Sequence, residues 1–515
     1  MRKTLTYGSL LFLILLTSCA SPKSASVQVR EPDYWPTNGW KHSTPEAQGM
    51  DSGLLAEMLE DISENETSIY SVIVIRNGYL VTEAYFHPYT SDTKMHVQSV
   101  TKSVIGMLVG IALKKGMFPD INQPVIDFFR NRRIAYLDEQ KESIELKHLL
   151  SMSSGLDCAE FSSGPRMEQT SDWVQFMLDR PVIQSPGETF GYCNGNAHLV
   201  SAILEKTSGV STREFANREL FLPLGISPVE ESDWGEDPQG FATGGYGLHL
   251  RPADLAKLAF LYLNRGKWDG QQIIPAQWVG DSTTEHVQKE DGSGYGYLWT
   301  VYPETDHYAA LGLGGQQIHV YPSKNLIVVV TASLESFAEA PEIEKMLNEH
   351  ILPAIESDDP LAENLDSISR LHAAMKHSAK PFQPVPPLPV IARDISGSVY
   401  TFTENPMGWK SLDFRFEEGA PTAQLQLSDM PVLEIGMDNL YRLSAGEAIG
   451  ELLLRGRWID EQTFVIDYPY PAVGGPTLGE LGETEFQFKF TGDKLEVTVQ
   501  QLVFGGEAIF FQGAR

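Results

Sequence analysis

The chain has very little cysteine, 3 in 515 residues, so a disulfide-stapled scaffold is excluded and the core must come from ordinary apolar burial. It also lacks a basic cluster. Lys plus Arg number 39 against 68 for Asp plus Glu, a formal charge of −29, and no Lys/Arg run reverses that sign locally. Nucleic acid and anionic lipid surfaces are therefore poor partners. No H-E-x-x-H or similarly spaced ligand set occurs, and His96 and His249 stand isolated, so neither a metal nor a cofactor is expected. Apolar runs of spanning length, about 20 residues, are lacking as well, and no internal repeat is evident.

What is present is an ordinary globular balance, 42% hydrophobic and 21% charged. At roughly 150 residues per domain, two or three domains are expected. Arg2 and Lys3 precede the short apolar stretch Leu10 to Leu16, and Leu16-Thr17-Ser18-Cys19 resembles a bacterial lipobox. The expectation is a lipoprotein signal peptide over 1–18, lipidation at Cys19 and a polar tether over 19–33. That places the protein in the bacterial cell envelope, lipid-anchored and facing the periplasm or exterior. A plain secretory signal with an incidental cysteine is the alternative. Of the other cysteines, Cys158 and Cys193 can pair in an oxidising compartment or remain two separate buried thiols.

Val72 to Ile75, the turn Asn77-Gly78, and Leu80 to Phe86 predict an antiparallel hairpin. Far along the chain, Tyr297 to Val301, Gln317 to Tyr321 and Leu326 to Val330 predict three more strands, the last two separated by Pro322 to Asn325. Between the two groups the patterns are helical, at Val100 to Leu113, His198 to Lys206 and Ala253 to Leu263. The sum is an α/β domain whose antiparallel sheet is built from both ends, flanked by helices, with a helical insertion lobe. The proline-rich stretch 353–390 predicts a stiff linker, and 391–515 switches to period-two alternation, as in Phe486/Phe488/Phe490, which predicts an all-β barrel or sandwich.

Three segments can carry chemistry. Ser99-Val100-Thr101-Lys102 puts a hydroxyl and an amine on one helical face, at the start of a helix apolar on nearly every side. A nucleophilic serine there would aim its own N–H at an oxyanion, with a lysine near enough to perturb its proton. A polar first turn with a snorkelling lysine gives the same pattern, and Ser-x-x-Lys recurs by chance about once in a chain this long. Tyr192-Cys193-Asn194 can turn its phenol and amide toward one site while Cys193 faces away; near Lys102 the phenol would be a candidate base toward Ser99. A second Tyr-x-Asn, Tyr262 to Asn264, lies inside a helical pattern and is structural. Third, Ala310 to Gln316 is glycine-rich, and the Leu313 N–H can supply a second oxyanion donor, unless the run is merely a bulge between strands.

The order and spacing of these motifs resemble the serine β-lactamases and penicillin-binding proteins. The tyrosine of the second motif is similar to that of class C β-lactamases and the related esterases and 6-aminohexanoate-dimer hydrolases. Leu149 to Leu156, Leu222-Pro223-Leu224-Gly225, Arg251 to Lys257 and Tyr295 to Trp299 agree, over about Trp35 to Ile351. The resemblance implies a β-lactamase/transpeptidase-like fold over 34–352, an acyl-enzyme on Ser99, and proton traffic shared by Lys102 and Tyr192. It implies that Asn194 positions Lys102 or the acyl group, and that Gly312, Gly314, Gly315 and Gln316 line the substrate site. Trp173, Tyr246 and Trp299 flank the motifs and would wall an acyl pocket or, as buried aromatics more often do, belong to the core. One departure stands out: where lactamases and D,D-peptidases carry Lys or His before a hydroxyl residue, this chain has Ala310 and Leu311. The expected substrate is thus a small neutral ester or amide. A β-lactamase or D,D-carboxypeptidase, or a non-catalytic envelope-binding protein, are the alternatives.

Overall fold

A computed structural model describes residues 32–65, 69–87, 89–158, 167–332, 334, 341–380, 385–428, 430–439, 441–446, 450–468, 484–501 and 508–515. The expected signal segment, Cys19 and nearly all of the tether lie outside the described residues.

The β-branched run in Ile69–Arg76 makes a strand buried along its whole length, and Asn77 and Gly78, both at positive φ, turn it back into Tyr79–Tyr85. Ile69–Arg76 also pairs with Leu326–Ala332, register Val72 opposite Val330, which joins the two ends of the domain. The resulting antiparallel sheet runs 79–85, 69–76, 326–332, 316–321, 307–312, 300–302, 294–295, 287–288. Alternation divides the side chains between two cores. Ile73, Ile75, Ile327 and Val329 face the helices Val100–Lys114 and Pro252–Leu263; Val72, Val74, Val328 and Val330 face Ser52–Glu64 on the other side. Helices 146–150, 173–178, 194–208 and 212–216 form the lobe between the strand groups.

Three differences from the sequence expectation have physical causes. Leu298 takes a left-handed backbone, φ 62°, and donates its N–H to the Leu150 carbonyl, so the strand expected from Tyr297 begins only at Thr300. His307–Gly312 is a strand that the sequence did not predict; its alanine centre has little β propensity, and pairing with Gln316–Tyr321 and Thr300–Tyr302 specifies it. The expected stiff linker is in part a helix, Leu365–Ser378, which packs on Ser52–Glu64 through buried Leu371 and Ala374. An ion pair from Arg370 to Glu60 lies alongside.

The C-terminal strands close into a nine-stranded barrel. Its order is 433–436, 422–427, 411–415, 400–402, 509–514, 494–501, 484–491, 463–468, 450–458, with Gly436 meeting Arg455 to shut the ring and 442–446 paired outside it on 450–458. Phe414, Phe464, Phe488 and Phe490 fill the interior edge to face. Tyr441 of this barrel completes a buried cluster with Tyr70, Tyr89 and Met95 of the sheet domain.

Val100–Lys114 is the element on which the rest is aligned. All its residues from Val100 to Ala112 are buried, and two glycines let neighbours approach closely. The Trp278 indole donates to the Gly106 carbonyl at 2.9 Å, and a Cβ on Gly110 would lie 2.2 Å from Trp278 Cδ1. Gly110→Ala is therefore expected to destabilise the protein by about 1–3 kcal/mol through overpacking, measured by denaturant unfolding. Unchanged stability would contradict this packing.

Candidate active site

Met95–His96 leads toward the helix through Val97, whose N–H bonds the Leu248 carbonyl, and Gln98, a non-glycine residue at φ 49°. Such a backbone is costly for a side-chain-bearing residue and turns the chain sharply into Ser99, the N-cap of Val100–Lys114. Helical geometry then brings Lys102 under Ser99: its Nζ donates to Ser99 Oγ at 3.0 Å. Lys102 is 2% exposed.

The second motif converges on the same two groups. Cys193 is extended and caps Asn194–Ser208, so Tyr192 and Asn194 reach one side while Cys193 points away into a disulfide with Cys158. Tyr192 Oη lies 2.6 Å from Ser99 Oγ, and Asn194 Oδ1 accepts from Lys102 Nζ at 2.5 Å. Lys102 Nζ also sits 4.6 Å from the Tyr192 ring centroid. Beside them, burial first and the Tyr192 phenol second push the Tyr295 phenol well above its ordinary range, which keeps it neutral. The other Tyr-x-Asn is structural, as the sequence indicated: Tyr262 is buried in a helix, stacked on Trp299 at 4.8 Å.

A third acceptor for Lys102 did not emerge from the sequence. The Gly245 carbonyl accepts from Nζ at 2.6 Å. The signal in the sequence is the run Thr243-Gly244-Gly245-Tyr246-Gly247, whose glycines flank Tyr246. A Cβ on Gly245 would fall 2.9 Å from Asn194 Oδ1, and one on Gly244 would fall 2.0 Å from the Ala197 carbonyl oxygen. Only glycines let this loop lie so close to the start of the helix. Ser201 donates to the Ala242 carbonyl at 2.7 Å, and buried His198 meets Asp237 at 3.0 Å, which fastens the loop to the helix. Burial opposes the Asp237 carboxylate, but His198 and the N–H groups of Phe241 and Gln239 outweigh it and hold its pKa below the ordinary range.

The glycine-rich segment divides. Gly312 ends the strand against the approach to Ser99: a Cβ there would lie 2.8 Å from the Val97 carbonyl oxygen and 3.1 Å from Gln98 Cβ. Leu313, next in the chain, begins the turn beside that approach. Gly314, Gly315 and Gln316, expected to line the substrate site, are buried at the turn and the start of the next strand. Gly314 and Gly315 make the turn at positive φ, Gly315 faces Ile343, Ala332 and Leu334, and the Gln316 amide donates to the Ala332 carbonyl. Along the strand Gln316 keeps the face of Ile318 and Val320, turned to Val100–Lys114 and opposite Gly312, whereas Gly315 faces the sheet's other core.

Trp173 and Tyr246 lie together with ring centroids 6.5 Å apart; Tyr246 donates to Glu168 at 3.0 Å, and Trp173 packs edge-on against His198. Ala310 is buried in the core that holds the helix Val100–Lys114, so the strand presents no cation there. Among the described residues no group of His, Cys, Asp and Glu is arranged to hold a metal ion.

A family model described as Beta-lactamase matches residues 55–350. Over 303 residues the chain is 22% identical to the 6-aminohexanoate-dimer hydrolase of Paenarthrobacter ureafaciens, covering 54% of this chain and 76% of that protein. It is 23% identical to the β-lactamase of Escherichia coli K12 over 239 residues, 42% of this chain and 61% of that one. Among solved structures, a Bacillus anthracis protein provisionally described as a 6-aminohexanoate-dimer hydrolase has the same fold over 62% of this chain and 88% of its own, at TM-score 0.50 and 17% identity.

The Cys158–Cys193 bond closes a loop of sequence separation 35 around the second motif. Restricting the unfolded chain in this way is worth about 3–4 kcal/mol. The double variant Cys158→Ser/Cys193→Ser is expected to lose that amount in denaturant unfolding. Reaction of both thiols with a maleimide in denatured, unreduced wild type would show that the bond is absent.

Proposed function

The chain belongs to the β-lactamase family, and from that premise we propose that it cleaves small ester or amide bonds through an acyl-enzyme on Ser99. The observation that carries the reading is the position of Ser99 Oγ, 3.0 Å from Lys102 Nζ and 2.6 Å from Tyr192 Oη. A serine hydroxyl held between an amine and a phenol has two routes for its proton.

The acceptors around Lys102 make both routes workable. Asn194 Oδ1 and the Gly245 carbonyl can only accept, so they take two of its hydrogens. The remaining tetrahedral position faces Ser99. A neutral amine offers its lone pair there and takes the serine proton; an ammonium donates there, and Tyr192 takes the proton as phenolate. In either case Oγ bonds the substrate carbonyl carbon, and the carbonyl electrons move to oxygen. That oxyanion is met by the backbone N–H groups of Ser99 and Leu313. Collapse expels the alcohol or amine, which leaves with the proton returned through Tyr192. Water then attacks the acyl-enzyme, gives a proton to the same pair, and releases the acid and free Ser99.

Ala310 favours neutral substrates. A carboxylate brought against that strand would lose hydration without gaining a cation, a penalty of several kcal/mol. On this ground nitrocefin and D-alanyl-D-alanine peptides are expected to be poor substrates beside p-nitrophenyl esters. Efficient nitrocefin turnover would favour a β-lactamase instead. For location, the proposal rests on Leu16-Thr17-Ser18-Cys19, which suits lipidation at Cys19 and action at the cell envelope.

The test is intact-mass analysis after a fluorophosphonate probe, with p-nitrophenyl ester turnover measured in parallel. Wild type is expected to gain one adduct, and Ser99→Ala none, with hydrolysis abolished. Tyr192→Phe is expected to fold and to lose about 10²- to 10⁴-fold in kcat. Folded wild type with neither adduct nor turnover would move the reading to a non-catalytic envelope-binding protein.

A further inference from the structure

His96 and His249, isolated in the sequence, meet in the structure. They face each other across the paired strands Met95–His96 and His249–Leu250, with rings stacked at 4.8 Å. His96 Nε2 is the acceptor for the Gly247 backbone N–H at 3.0 Å, and its Nδ1 lies 2.8 Å from the Gln98 side-chain amide. A backbone N–H can only donate. Nε2 must therefore keep its lone pair and the ring is neutral with its proton on Nδ1; the Gln98 atom placed against Nδ1 is its own Nε2, so the amide is to be exchanged end for end to bring its oxygen to that proton. Burial first, and the facing His249 ring second, hold His96 well below its ordinary pKa, in agreement with that neutral form.

The two partners of this one ring belong to the two halves of the site. Gln98 is the residue at φ 49° that aims Ser99, and Gly247 follows by two residues the Gly245 carbonyl that accepts from Lys102. Lys102 itself spans the two, and the Val97 N–H to the Leu248 carbonyl and the Thr101 hydroxyl, between the Gln98 carbonyl and the Leu248 N–H, run beside the ring. We propose that His96 is a positioning residue for acylation: it ties the turn before the nucleophile to the loop holding the lysine, and so fixes the separation of Ser99 Oγ and Lys102 Nζ. The inference rests on the serine hydrolase reading of Ser99.

Substitutions can separate its two bonds. Glutamine at 96 places an amide oxygen where Nε2 lies and restores the bond from Gly247, whereas asparagine reaches only the position of Nδ1. The experiment measures, in the full chain, the rate of fluorophosphonate labelling of Ser99, kcat and KM for a p-nitrophenyl ester, and the thermal midpoint. His96→Leu is expected to label roughly 10- to 100-fold more slowly, with kcat falling and KM little changed, as for a misplaced nucleophile. His96→Gln should recover most of the rate, and His96→Asn should not. Labelling of folded His96→Leu at the wild-type rate overturns the proposal, and so does a His96→Gln variant no faster than His96→Asn. If His96→Leu fails to fold, the comparison of Gln with Asn decides. Wild type that does not label at all would instead bring down the hydrolase reading itself, an outcome distinct from these.

Discussion

The buried amine of Lys102 is the constraint to which the neighbouring structure answers. An amine that is 2% exposed has lost its water, and such a group is tolerated only when its hydrogens find acceptors. Asn194 Oδ1 and the Gly245 carbonyl meet that demand, and the direction left over is the one that faces Ser99. The contact with Ser99 is thus the remainder of a hydrogen-bonding requirement. If an acceptor were displaced, Nζ would turn to replace it, and Ser99 would lose its partner.

Meeting that demand brings distant segments together at close range. The helix carrying Lys102 is gripped by Trp278 at Gly106 and Gly110, so its depth is fixed independently of the site. Asn194 arrives at the head of a second helix, tethered one residue earlier by the Cys193 disulfide. The Gly245 loop is held to that helix by Ser201 and by the His198–Asp237 pair. Each approach has its closest contact at a glycine. Backbone without a side chain is the only chain segment that fits at these distances, which makes glycine placement a positional requirement rather than a source of looseness.

This explains which parts were legible in the sequence. The hairpin around Asn77-Gly78, the long helices and the alternating C-terminal strands carry their own period, and the structure has them. Ser99, Lys102, Tyr192 and Asn194 were legible because each pair lies within one turn of chain and the joint spacing resembles a family. Gly245 was not, because its contribution is a carbonyl, which any residue possesses; only the neighbouring Asn194 makes glycine necessary. His307–Gly312 was missed because strand pairing, and not the residues themselves, makes it a strand. Gly314, Gly315 and Gln316 are ambiguous in the sequence because glycine-rich text reads alike whether it approaches a ligand or closes a hairpin. Register, absent from the sequence, separates them: Gln316 sits opposite Gly312 on the face of Ile318 and Val320, whereas Gly315 packs on the other core.

Alanine at 310 follows from the same electrostatic economy. This strand residue shares its core with the helix that carries Lys102, so an ammonium there would add like charge to a region whose acceptors are already committed. Repulsion in a medium of low dielectric is stronger than in water and would fall on whichever amine is easier to deprotonate. A site with cations at both places gains a grip on substrate carboxylates and must keep its lysine amine in balance with a second charge. A site with alanine forgoes that grip. On the hydrolase reading, the field at Ser99 is then set by Lys102 and its acceptors, and selectivity passes to apolar contact. Such contacts discriminate weakly, at about 1–3 kcal/mol per methylene, which suits breadth among neutral acyl groups more than commitment to one.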